Sequence, residues 1–142
     1  MKVCSFFGHR DVSGIESLIY DTIIGLIEKD NISVFYVGSN GNFDAMAKSA
    51  VLKAKKIYPN IKLFLILAYM PTEKTKISHD FDASLYPENL ELAPKRFAIS
   101  YRNKWIVNQS DTIVFYVKNS FGGACSAKKQ AEKLNKNIIN LV

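Results

Sequence analysis

Asp111-Thr112-Ile113-Val114-Phe115-Tyr116-Val117-Lys118-Asn119-Ser120-Phe121-Gly122-Gly123-Ala124 reads as a β-rich apolar run that breaks at a glycine pair and restarts as a helix. The strand covers Asp111 to Val117, and the helix is expected from about Ala124 to Asn135. Asn137 to Val142 then closes the chain as another apolar strand. The same alternation runs back towards residue 1. Lys2 to Phe7 is a short buried-strand pattern that ends at Gly8. Ile15, Leu18, Ile19, Ile23, Leu26 and Ile27 recur at helical spacing and predict a helix from about Ser13 to Lys29. Ser13 followed by Glu16 has the capping-box pattern. Ile32 to Val37 is a second strand, and Met46, Ala47, Ala50, Val51, Ala54 and Ile57 mark the helix after it. Ile61 to Ala68 is a third strand.

From Tyr69 to Leu92 no periodicity survives, so residues 69–92 are expected to form an irregular insertion or a lid. Arg96 to Val107 returns to helical spacing, with Phe97, Tyr101 and Trp105 as its apolar stripe and Trp105 in the core. Strands apolar on both faces, alternating with helices, predict a parallel sheet covered on both sides. Right-handed crossovers leave a five-stranded sheet in the order 3-2-1-4-5 as the simplest topology. The expectation is thus an α/β chain with one Rossmann-like domain spanning residues 1–142. Ligands of such sheets bind at the carboxyl ends of the strands, where the strand order reverses between the first and fourth strands.

Composition narrows the class. The 142 residues are 48% hydrophobic and 23% charged, which excludes a disordered chain. No apolar run reaches the roughly 18 residues of a membrane span, and the first residues lack a signal-peptide pattern. Cys4 and Cys125 are too few to staple the chain, and neither has a neighbour at metal-ligand spacing. A reduced, cytoplasmic protein without metal or cofactor is expected. Nineteen Lys and Arg against thirteen Asp and Glu give +6. The cations are mostly dispersed lysines, as on solvated helix faces, rather than an aromatic-interleaved basic stripe.

Three glycine-marked loops meet at the expected crevice. Gly122-Gly123-Ala124 lets backbone N–H groups approach an anion at a helix N-terminus, or is simply a tight turn. In Gly38-Ser39-Asn40-Gly41-Asn42-Phe43-Asp44, Asp44 either caps the following helix or accepts from a ribose. In Gly8-His9-Arg10, Arg10 can bind a phosphate or carboxylate and His9 can donate to an oxyanion. Arg102, beside Asn103 in the stretch before the fourth strand, projects over the crevice if the helix runs up against that strand. Aromatics such as Tyr69 and Phe81 in the irregular segment either stack on a base or pack the loop.

Cys4-Ser5-Phe6-Phe7-Gly8-His9-Arg10, Tyr36-Val37-Gly38-Ser39-Asn40-Gly41-Asn42-Phe43-Asp44, Arg102-Asn103-Lys104-Trp105, Ser110-Asp111 and Gly122-Gly123-Ala124, in that order, resemble the YpsA-like group of small bacterial and phage proteins. This group, also called DUF1273, falls in the SLOG superfamily with the DNA-processing protein DprA and the Lonely Guy phosphoribohydrolases. The resemblance implies a Rossmann-like fold and a nucleotide pocket built from Gly8, His9, Arg10, Gly38, Ser39, Gly41, Asp44, Arg102, Asn103, Gly122, Gly123 and Ala124. Lonely Guy enzymes cleave an N-glycosidic bond with an arginine and a glutamate. Arg102 matches the arginine, but Lys129 stands where the glutamate would be.

A lysine has the wrong charge to stabilise a developing oxocarbenium ion or activate water. Binding of a nucleotide-derived small molecule, by a sensor or sequestering protein, is therefore the first expectation. A nucleotide N-glycosidase with Asp44 as a displaced carboxylate is one alternative, and a nucleic-acid-binding module is another. A homodimer is compatible with the apolar end Ile138-Ile139-Asn140-Leu141-Val142.

Overall fold

The structure, a computed structural model, describes residues 1–142. Its strands are β1 (Lys2–Gly8), β2 (Ile32–Val37), β3 (Lys62–Ile66), β4 (Ala83–Leu85), β5 (Thr112–Tyr116) and β6 (Asn137–Asn140). They form one sheet ordered β4-β3-β2-β1-β5-β6, with every pair parallel. The helices are α1 (Glu16–Asp30), α2 (Asn42–Lys55), α3 (Ala98–Gln109) and α4 (Gly123–Lys133). No helix is long and apolar enough to cross a membrane.

The expected order of five strands is present, but the sheet has six. The extra strand, β4, lies within the segment expected to be irregular and pairs Phe64 with Ala83 and Ile66 with Leu85. Three residues with one large aliphatic among them carry too little periodicity to be seen in sequence. Asp82 fastens this strand: its carboxylate accepts from the Leu63 N–H at 2.8 Å and from Lys55 of α2 at 2.5 Å. Phe81 packs on the core beneath Lys48, and Lys48 also pairs with Asp80.

β1 shows how one strand serves two cores. Successive side chains point to opposite faces, so Cys4 and Phe6 join the core under α1 and α2, while Phe7 joins the one under α3 and α4. Phe6 stacks on Phe35 and Phe7 on Phe115. Ser5, fully buried, hydrogen-bonds Ser110 at 2.8 Å, and Ser110 donates to the Ile106 carbonyl. This ties the C-terminus of α3 to the sheet. The two cysteines are buried and unbridged, one in each core.

Three local expectations are corrected. Ser13 does not cap α1: the helix begins at Glu16 after Ile15, with no side-chain cap, because Gly14 turns the chain at φ 77°. Leu18 and Ile57, placed on buried stripes by spacing, are exposed. On α3 the inward face is Ala98, Arg102 and Ile106, one residue on from the expected stripe. Phe97 and Tyr101 are exposed, and Trp105 is half-buried, stacked on Tyr36 at 5.8 Å.

β6 is an edge strand. Its Asn140 side chain accepts from the Val117 N–H and donates to the Val117 carbonyl, both at 3.1 Å. A side-chain amide thus continues the ladder beyond the end of β5.

Candidate functional site

At the carboxyl ends of β1, β2 and β5 lies a cavity of about 420 Å³. The loop after β1 holds its walls together. The His9 N–H donates to the Tyr116 carbonyl, and its Nε2 accepts from the N–H groups of Lys118 at 2.9 Å and Asn119 at 3.3 Å. The Arg10 carbonyl accepts from Asn42 N–H at 2.9 Å. One short loop therefore clasps both neighbouring loops. With Nε2 accepting two N–H bonds, the proton that His9 has to offer an oxyanion is the one on Nδ1, and the same ring positions the loop after β5.

Ten of the twelve residues expected at the site line this cavity: Gly8, His9, Arg10, Gly38, Asp44, Arg102, Asn103, Gly122, Gly123 and Ala124. Ser39 and Gly41 do not. Gly41 acts from behind, as the residue before α2: at φ 92° it lies so close to Arg10 that a Cβ would stand 2.7 Å from the Arg10 Cα. The lining also includes Phe121 and Asn119, which sequence reasoning gave no role. A bulky aromatic beside two glycines in a crevice loop was the available signal for Phe121. No residue from 69–92 lines the cavity, so the aromatics of that segment do not form its wall. Lys129 is exposed and also lies outside it.

Two helix N-termini point into the cavity, and they differ in charge. Each carries roughly half a positive charge. At α2 that charge is met by Asp44, whose carboxylate reaches back to accept from the Asn40 N–H at 2.9 Å. Asp44 thus makes no side-chain cap of α2: the amide it satisfies belongs to the loop before the helix. At α4 no acidic residue stands in the first turn and no side chain caps it. The first helical bond there runs from the Ser126 N–H to the Gly122 carbonyl. The amides of Gly123, Ala124 and Cys125 are left without a protein acceptor.

Arg102 is only 5% exposed. Asn103 Oδ1 accepts from its Nε and Nη2 at 3.3 and 3.0 Å, and no carboxylate lies within ion-pair distance. Burial lowers its pKa, with Asp44 and the Tyr69 hydroxyl opposing. Asp44 is pushed up to about 6 by burial, against the pull of the Asn40 N–H, Arg102 and Arg10. Gly38 separates the two: a Cβ there would stand 3.0 Å from Asp44 Oδ2 and 3.2 Å from Arg102 Nη1. The cavity is lined by two guanidinium groups, Arg10 and Arg102, and by Gly123 and Ala124 with their unmatched amides, beside a carboxyl group whose pKa is raised to about 6.

The sequence matches no family model and no curated protein. Among solved structures, the fold is similar to DNA processing protein A (DprA) from Streptococcus pneumoniae, with TM-score 0.70 and 17% identity over 96% of this chain. It is also similar to DprA from Helicobacter pylori, with TM-score 0.62 and 14% identity over 96% of this chain. That H. pylori protein binds single-stranded DNA. The chain spans 49% and 63% of the lengths of these two proteins. It is an α/β chain with a DprA-like, Rossmann-like fold.

Proposed function

We propose that the cavity binds a phosphate of single-stranded nucleic acid, and that the chain is a strand-binding module. The observation that carries this reading is the pairing of α4's uncapped N-terminus with Phe121, which is 72% exposed at the rim of the cavity. Backbone amides receive a phosphate without regard to sequence, and an exposed aromatic ring beside them stacks on whichever base follows. Arg10, exposed at the mouth, adds a mobile cation. The net charge of +6 favours the same partner. Single-strand binding by a protein of like fold supports this reading over the small-molecule one that the sequence suggested first. The loop sequences resemble those of the YpsA-like group.

Fluorescence anisotropy with a labelled fifteen-nucleotide oligothymidylate tests it. Phe121→Ala should weaken binding by about 1–3 kcal/mol, the usual worth of one base–aromatic stack. Arg10→Ala should flatten the salt dependence by about 0.7 in the log–log slope, the signature of one lost phosphate contact on a single strand. Unchanged affinity in both variants would remove the proposal.

The volume of the cavity favours a second reading. About 420 Å³ falls within the roughly 300–1,000 Å³ of small-molecule sites, so a free nucleotide fits the same groups. It predicts that AMP, NAD or ADP-ribose raises the unfolding temperature while the oligonucleotide does not. A ligand at a hundred times its Kd adds about 2.7 kcal/mol.

A further inference from the structure

We infer that a second groove, between α3 and α4, is a phosphate track that continues the cavity and carries the strand onward; this rests on the strand-binding reading. The groove has a volume of about 420 Å³ and shares Asn103 and Gly123 with the cavity, so the two are contiguous. Lys104 faces it from α3, and Lys129 and Lys133 face it from α4. All three are exposed, and none has a carboxylate within 4 Å. Only Lys48, Lys55 and Lys128 pair, with Asp80, Asp82 and Glu132, so what marks Lys104, Lys129 and Lys133 is their convergence on one groove. The one acidic side chain of α4 is thereby turned to Lys128.

An ordinary solvated helix face accounts for Lys133, which suits the negative end of α4. It does not account for Lys104, which converges on the same groove from the other helix. Gln130 fixes that approach by donating to the Lys104 carbonyl at 3.4 Å. From Gly123 to Lys133 the track runs about 15 Å along α4 at 1.5 Å per residue. A chain of phosphodiesters leaving the amides at one end meets cations along the rest. A single small anion would engage one end only.

The test compares the wild type with the triple variant Lys104→Ala, Lys129→Ala, Lys133→Ala. The probes are a 5′-phosphorylated dithymidylate, short enough to occupy the cavity alone, and the fifteen-nucleotide oligothymidylate. Binding of each is followed across a salt series. For the long probe, the triple variant should lower the log–log salt slope by about 2, from roughly 0.7 per phosphate contact on a single strand. Binding of the dithymidylate should not change. An unchanged slope for the long probe, with Arg10→Ala still weakening it, overturns the track and leaves the cavity reading standing. Equal loss for both probes also overturns the track, since the lysines would then serve the cavity itself. Failure of the wild type to bind the long probe overturns both.

Discussion

Gly8→Ala should cost the fold about 3 kcal/mol, the upper end of the usual range for overpacking a closed core. A Cβ at Gly8 would stand 2.3 Å from Cγ of Phe43 and 2.6 and 2.8 Å from its two Cδ atoms, well inside the contact distance between two carbons. Phe43 is fully buried and packs against Tyr116 at 6.5 Å between centroids, so it has nowhere to retreat. At roughly 2–4 °C per kcal/mol for a chain of about this size, the unfolding temperature should fall by about 10 °C. Phe43→Ala alone should also destabilise, by about 3–5 kcal/mol, through the cavity it leaves.

Made together, the two changes should cost well under their sum, because the methyl added at residue 8 occupies space vacated at residue 43. Chemical denaturation of the four proteins measures this coupling. Strict additivity would mean that the contact is not what demands glycine. The contact also matters for the site. Phe43 is the second residue of α2 and directly precedes Asp44, so pushing the ring away carries the carboxylate out of the cavity.

Asp44→Asn should stabilise the protein above about pH 7, by about 2–3 kcal/mol at 1.4 kcal/mol per pKa unit. In the folded chain burial raises this carboxyl from 3.8 to about 6. Between those values the native state holds a proton that the unfolded chain has released, so stability falls as pH rises through that window. Below about pH 4 both states are protonated and the variant should match the wild type. Above about 7 the wild type bears the full cost of an ionised buried acid, and the variant does not. The difference between the two unfolding curves across pH isolates this group from Asp80 and Asp82, whose lowered pKa values act in the opposite sense at acid pH.

A difference that stays flat from pH 4 to 8 would show that Asp44 is not buried in the way described. A group that weakens the fold at neutral pH and lines a cavity fits a functional role. Oligonucleotide binding should therefore tighten as pH falls through about 6, since protonation removes a negative charge beside the phosphate. That dependence should vanish in the asparagine variant.

The strand order and the crevice were legible because they depend on patterns that sequence carries directly. β1, β2, β3, β5 and β6 are apolar runs bounded by glycine, proline or asparagine, and right-handed crossovers arrange them almost without choice. β4 was not legible, because it is held by Asp82 and by pairing to β3 rather than by its own residues. The inward face of α3 was misplaced by one residue for a related reason. Hydrophobic periodicity assigns aromatics to the core, and it has no way to place a buried arginine among them. His9 was recognised as part of the site, but the contacts that position it were not. Its partners are the backbone amides of Lys118 and Asn119, more than a hundred residues away in sequence. A backbone donor leaves no mark in the letters of the chain.

The unmatched amides of α4 carry that point further. Their charge belongs to the main chain, so no side-chain replacement along the cavity can erase it. Stripping Arg10, Phe121 and the groove lysines together should leave a weak, composition-blind attraction to phosphate as the floor beneath every variant. The same property leaves that field in place whatever side chains surround the loop. Its sequence record shrinks to the permission to turn at φ 98° that Gly122 supplies.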